Sequence, residues 1–241
     1  MATIVKIFPT LNMWAEAAAA EFCGIIEAAV AASGIASVAL SGGQTPVKVF
    51  KKLAQSPWAE SVPWDRINWF WVDERWVPAE HEASNFGQAQ KYLLSQTPVE
   101  PNRIFPMPTE AATPDQAAAE YEKLLRQRIS ATAKGSFDLV LLGMGTDGHT
   151  ASLFPGSPLL AERERWVGPA TAPTGVKQRL TLTLPLLNSA KNQLILVNGA
   201  EKQPLIERLL YSGEDVSSLP AGRLKCTGQT FWLLDAAAAG V

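Results

Sequence analysis

Cysteine is almost missing from these 241 residues: Cys23 and Cys226 stand alone, some two hundred positions apart. Two isolated thiols make no disulfide framework. The expectation is two buried, reduced cysteines and a reducing compartment. Histidine is as scarce, with only His81 and His149. Two distant histidines and two distant cysteines give no metal-ligand spacing, so no metal site is expected. Neither sign of charge dominates. The 21 Lys and Arg against 23 Asp and Glu leave a net charge of −2, which offers nothing for bulk attraction to nucleic acid or to an acidic membrane. A basic site would have to be local, assembled by the fold from a few Arg and Lys. No apolar run approaches the ~20 residues of a membrane helix. The first residues, Met-Ala-Thr-Ile-Val-Lys-Ile-Phe-Pro, lack the basic, apolar and small-residue regions of a signal peptide. A soluble cytoplasmic protein is the expectation, with neither membrane nor nucleic acid as partner. Two catalytic signatures are also missing. No Gly-x-Ser-x-Gly elbow offers a serine nucleophile, and no Gly-Lys-Ser/Thr completes a Walker loop.

What remains is an ordinary globular composition, 47% apolar and 18% charged, long enough to bury a core without covalent staples. Alternation predicts a strand over residues 3–8. Asn12 is placed to cap an Ala-rich helix to about 32, with Gly34 beyond its end. Further strands are expected over 37–40, 67–72, 137–142, 179–184, 193–197 and 229–234, the last closing the sheet. Helices are expected over 46–55, 85–94, 114–133 and 201–211, with Pro46 suited to a first turn. Residues 73–84 read as a polar loop. Strands alternating with helices argue an α/β fold, an open, mostly parallel sheet with helices on both faces. With no repeat, linker or charge run, residues 1–241 read as one domain.

In such sheets ligands bind beyond the carboxyl ends of the strands, and three polar segments follow strands directly. In Ser41-Gly42-Gly43-Gln44-Thr45-Pro46 the glycines let backbone amides approach an anion at a helix N-terminus, and Thr45 adds a hydroxyl. A plain strand-to-helix turn accounts for it equally well. Asp73-Glu74-Arg75-Trp76-Val77-Pro78 sets two carboxylates and a guanidinium after a buried strand; Arg75 suits bidentate phosphate binding. Glu74 reads better as a solvated loop residue, and Asn85 as an N-cap with Gln88 three residues on. Gly143-Met-Gly-Thr-Asp147-Gly-His149-Thr-Ala-Ser-Leu-Phe-Pro155 holds a histidine between Gly and Thr. That setting suits general-base work better than core packing, with Asp147 near enough to bias the ring. The Gly-x-Gly-x-x-Gly spacing is a weak dinucleotide signal, because Pro155-Gly156 interrupts the helix it requires.

Taken together, in this order and spacing, Leu-Ser-Gly-Gly-Gln-Thr-Pro at 40–46, Asp-Glu-Arg-Trp-Val-Pro at 73–78 with Ser84-Asn85, the 143–155 segment and Arg179-Leu-Thr-Leu-Thr resemble the 6-phosphogluconolactonase family. The resemblance covers nearly the whole chain. It implies the open α/β sheet of the aminosugar-phosphate isomerases, no cofactor, and a sugar-phosphate lactone as substrate, opened to 6-phosphogluconate. It implies His149 as general base with Asp73 assisting; Asp147, by its closeness to the histidine in sequence, is a further catalytic candidate. Arg75 and Arg179 would hold the phosphate beside Ser41, Gly42, Gly43 and Thr45, and Lys202 resembles a phosphate lysine of the wider superfamily. A glucosamine-6-phosphate deaminase carries Asn-Glu-Pro after its histidine, where this chain has Leu153-Phe154-Pro155. A sugar-phosphate sensor would carry a helix-turn-helix ahead of its first strand.

Overall fold

The computed structural model describes residues 2–129 and 135–241. Its main sheet has six strands: β1 (Ala2–Phe8), β2 (Ala36–Leu40), β3 (Ile67–Trp71), β5 (Leu139–Gly143), β8 (Asn192–Val197) and β9 (Gln229–Asp235). They lie in the spatial order β1-β9-β8-β5-β2-β3, and every neighbouring pair is parallel. β2 is buried at all five residues, and β3 and β5 at four of five. Covering both faces of a parallel sheet demands such continuous apolar runs. The helices that cover it are α1 (Leu11–Ser33), α2 (Gln44–Leu53), α3 (Trp58–Ser61), α4 (Asn85–Tyr92), α5 (Pro114–Ile129), α6 (Leu184–Ser189), α7 (Gln203–Leu210) and α8 (Ala236–Ala239).

Several boundaries depart from expectation, each for a local reason. Thr10, not Asn12, caps α1, accepting from the Met13 amide, and Gly34 ends the helix in the left-handed region. The helix expected over 114–133 is observed to Ile129, and its expected last residues lie outside the described ones. β9 does not close the sheet. It lies between β1 and β8, and β1 takes the edge. Burial agrees, since β9 is buried at five of seven residues and β1 at none.

The largest departure is a second sheet. β4 (Asp73–Arg75), β6 (Val167–Thr171) and β7 (Gln178–Leu182) form an antiparallel sheet in the order β4-β7-β6. β4 occupies the start of the stretch expected to be loop. Val72 joins the two sheets: its amide donates to Leu40 of β2, and its carbonyl accepts from Leu182.

The connections place the site. From β2 the chain passes outward to β3, whereas from β5 it passes the other way to β8 and β9. The crevice between β2 and β5 is therefore the switch point, where open α/β sheets bind ligands. The segments leaving β2 and β5 are the Gly42–Gly43 turn and the His149 loop, and β3 runs straight into β4 beside them.

The tryptophans and cysteines serve packing. Trp14, Trp64, Trp69 and Trp71 are buried in the core, and Trp58 and Trp76 pack against it. Both cysteines are free and buried, and burial pushes the Cys23 thiol up to about 12. Tyr121 links α5 to the sheet. Its buried hydroxyl accepts from the Trp71 amide and donates to the Phe105 carbonyl, both at 3.0 Å. Tyr121→Phe would strand that amide, and we expect a loss of roughly 1–3 kcal/mol in a urea unfolding measurement. A change within error would show that the hydroxyl is dispensable.

Candidate active site

A cavity of about 290 Å³ opens at the switch point, lined by residues 41–46, Asp73, Arg75, Asn85, His149, Ser152, Phe154 and Arg179, among others. One wall is the N-terminus of α2. The first bond of that helix runs from the Val47 amide to the Gly43 carbonyl. The amides of Gly42, Gln44 and Thr45 have no acceptor among the described residues. Open amides at a helix start favour an anion through both their N–H groups and the helix dipole. The Gly43 amide is not one of them, since it donates to Gln88 Oε1 at 2.9 Å. The Thr45 hydroxyl hydrogen is likewise directed to Asn198 Oδ1, at 2.7 Å. Thr45 therefore offers its amide rather than the hydroxyl donor expected from sequence.

The opposing wall is the small sheet. Arg75 on β4 and Arg179 on β7 face each other in direct cross-strand register. Like charges in that position repel. Desolvation lowers the Arg179 pKa from its usual range, and the Arg75 charge lowers it further. Arg75 donates to the Ala83 carbonyl through Nη1, while its Nε is buried without a partner. Two guanidiniums held together, one with an unsatisfied donor, form a site prepared for a divalent anion.

Between these walls lies Asp73, 6% exposed. Ser152 Oγ donates to one carboxylate oxygen at 2.7 Å, and Asn85 Nδ2 to the other at 3.2 Å and to the Asp73 carbonyl at 2.8 Å. Glu74 and Asn85 correct the reading from sequence. Glu74 is not solvated but 2% exposed. Its carboxylate accepts from the amides of Arg75, Asn85 and Phe86, each at 2.7 Å, and from Ser84 Oγ. Burial still pushes its pKa above the usual carboxylate range, against the pull of those amides. The cap of α4 is Ser84, which accepts from the Gly87 amide. Asn85 is instead buried at the heart of the site.

His149 stands on the loop after β5. Its Nδ1 lies 2.5 Å from Asp147 Oδ1, and its amide donates to the same oxygen. Partial burial raises the Asp147 pKa, but the amide, the imidazole charge and the ring bond together bring it below its usual value. Asp147 is then a carboxylate near neutral pH and can only accept. The ring hydrogen belongs on Nδ1, which leaves the Nε2 lone pair free. The amides of Gly145 and Gly148 are bonded within the loop, to the carbonyls of His149 and Gly145. Lys202 and Asp147 lie outside the cavity lining. Burial lowers the Lys202 pKa, while Glu201 and Asp147 pull it back up. His81 is exposed on the 78–84 loop. Among the described residues no three His, Cys, Asp or Glu are grouped to hold a metal ion, and no helix is long and apolar enough to cross a membrane.

The family described as "Glucosamine-6-phosphate isomerases/6-phosphogluconolactonase" matches residues 9–232. The chain belongs to that family. A 6-phosphogluconolactonase of Synechocystis sp. is 39% identical over 212 residues, 87% of this chain and 86% of that one. The crystal structure of 6-phosphogluconolactonase from Thermotoga maritima superimposes with a TM-score of 0.83 at 30% identity, covering 97% of this chain and all of that one. A monomeric glucosamine-6-phosphate deaminase reaches the same TM-score at 22% identity over 98% and 99% of the two chains. At that identity the likeness shows the fold alone. The same fold therefore occurs in proteins named for two different activities. Beside the histidine here is Phe154, whose ring centroid lies 4.7 Å from that of His149.

A Cβ on Gly145 would stand 2.1 Å from His149 Nδ1 and 2.7 Å from Asp147 Oδ1. Gly145→Ala is therefore expected to turn the ring out of line with Asp147 while leaving the thermal midpoint within a few degrees. Long-range ¹H–¹⁵N NMR reads this directly, since only His81 also contributes. The wild type should show neutral His149 protonated at Nδ1, and the variant should lose that signature. A wild-type ring protonated at Nε2 would sink the assignment.

Proposed function

We propose that residues 1–241 form one α/β unit that hydrolyses 6-phospho-D-glucono-1,5-lactone to 6-phospho-D-gluconate in the cytoplasm, within the oxidative pentose phosphate route. The observation that carries the reading is the opposed Arg75–Arg179 pair, which lines, with the open amides of α2, a cavity that also holds His149. The arginines and the Gly42, Gln44 and Thr45 amides hold the phosphate. Ser41 and Gly43 shape that turn, and Lys202 adds a more distant positive charge. With the phosphate anchored, the lactone carbonyl comes to His149, and binding energy far from the reacting bond is used for orientation.

Chemistry then needs one base. His149 Nε2 takes a proton from water as the water oxygen bonds to C1, and the carbonyl electrons move to its oxygen. As the intermediate collapses, the bond from C1 to the ring oxygen breaks, and His149 returns the proton to that leaving oxygen. Asp147 holds the ring in the required tautomer and offsets the imidazolium charge. Asp73, kept in place by Ser152 and Asn85, balances the arginines and accepts from a sugar hydroxyl. A lactone is an activated ester, so no covalent enzyme intermediate is required.

The deaminase reading has the shared fold in its favour, but it requires an acid beside the histidine where Phe154 stands. Freshly made lactone, followed with and without protein and corrected for spontaneous opening, tests the choice, with glucosamine-6-phosphate run in parallel. Fast lactone loss without ammonia release is expected; no acceleration over background ends the lactonase reading. Residue roles separate kinetically. His149→Ala should lower kcat by about 10²–10⁴-fold with KM little changed. Arg179→Ala should mainly raise KM. A His149→Ala enzyme with raised KM and unchanged kcat would contradict the general-base role.

A further inference from the structure

The turn that borders the anion wall is not held by its own residues alone. Gly43 sits at φ 100°, ψ 174°, in a region open to glycine, where a peptide unit reorients at little cost. Two side chains from α4 restrain it. Gln88 Oε1 accepts the Gly43 amide at 2.9 Å. Asn85 Oδ1 stands 1.9 Å from the position a Cβ on Gly42 would occupy, buried and with no hydrogen-bond partner. Asn85 and Gln88 are three residues apart, so they share one face of the helix. The same Asn85 holds Asp73 through Nδ2. One helix face thus meets the anion turn at two consecutive glycines and the acidic residue of the site at a third point.

We propose that Gln88 and Asn85 are positioning residues for the anion turn, with Gln88 fixing the Gly43 peptide so that the Gly42, Gln44 and Thr45 amides are already set for a phosphoryl group. The inference rests on the anion-binding part of the reading above and deepens it. Asn85 fills the space beside Gly42 and closes off the alternative path of the chain, while Gln88 supplies the bond that selects the observed one. The gain is pre-organisation: amides held in place before binding need not be ordered by the ligand. Gln88 itself is absent from the cavity lining, so it acts through Gly43 and not by touching substrate.

The test compares wild type with Gln88→Met, which keeps the length of the side chain and removes the acceptor, and with Gln88→Ala as a second form. Gln90→Ala, exposed on the same helix, serves as control. Inorganic phosphate binding by titration calorimetry is the first readout. The second is steady-state kinetics on 6-phosphogluconolactone and on glucono-1,5-lactone, which lacks the phosphate. Both Gln88 variants should bind phosphate roughly fivefold more weakly. Their KM for the phosphorylated lactone should rise by a similar factor, with kcat within about twofold, KM for the plain lactone unmoved and Gln90→Ala like wild type. Unchanged phosphate binding in folded variants would overturn the inference, as would equal losses on both lactones, because a merely structural role predicts the latter. If wild type binds phosphate but opens neither lactone, the enzymatic reading fails alone, and the calorimetric comparison still decides the role of Gln88. If wild type binds no phosphate, the inference falls with the anion site.

Discussion

The buried carboxylate of Glu74 is the constraint from which the site geometry descends. An ionisable group at 2% exposure is costly unless its oxygens are satisfied, and here three amides and a hydroxyl meet them. Two of those amides, Asn85 and Phe86, belong to the first turn of α4. The third is that of Arg75 on β4. One side chain therefore pins a helix N-terminus to an edge strand, and the negative charge suits the positive end of the helix dipole. With α4 held there, Asn85 reaches Asp73 and Gly42, Gln88 reaches Gly43, and Arg75 is set opposite Arg179.

That arrangement concentrates unfavourable electrostatics around the cavity. Arg75 and Arg179 repel across the ladder, Asp73 is taken out of water, and the α2 amides are open. Each feature costs stability by itself, and a bound anion would offset the repulsion and meet the open amides. The histidine end differs in kind. Asp147 and His149 are more exposed, on a loop that folds on its own hydrogen bonds. On the proposed function, anchoring and chemistry fall to separate parts of the fold: a sheet-and-helix wall would hold the phosphate, and the loop at the switch point would carry the base.

Reading from sequence succeeded where structure is local: the apolar run ending in glycines is β5, and the Gly42–Gly43 turn and the His149 segment follow β2 and β5 and line the cavity as expected of post-strand loops. It failed where meaning depends on a distant partner. Glu74 reads as a solvated loop residue because nothing nearby in sequence reveals that the first turn of α4 will close over it. Asn85 reads as a cap because Ser84-Asn85 offers two candidates, and only packing against Asp73 and Gly42 shows which one caps. The small sheet was missed because β4 is three residues long and β6, Val-Gly-Pro-Ala-Thr, has little strand character; both exist through pairing with β7.

The sequence by itself determined the fold class and the three segments that surround the cavity, because periodicity and turn chemistry are properties of neighbouring residues; the family entered through the resemblance of those segments to known ones. Only the tertiary structure decided which groups in those segments are free to act. The Gly43 amide and the Thr45 hydroxyl are engaged by Gln88 and Asn198, the amides of Gly42, Gln44 and Thr45 have no acceptor among the described residues, and Lys202 stays outside the cavity lining. The physical reason is that a hydrogen-bonding group is defined by what already satisfies it, and here the satisfying partners lie tens of residues away along the chain.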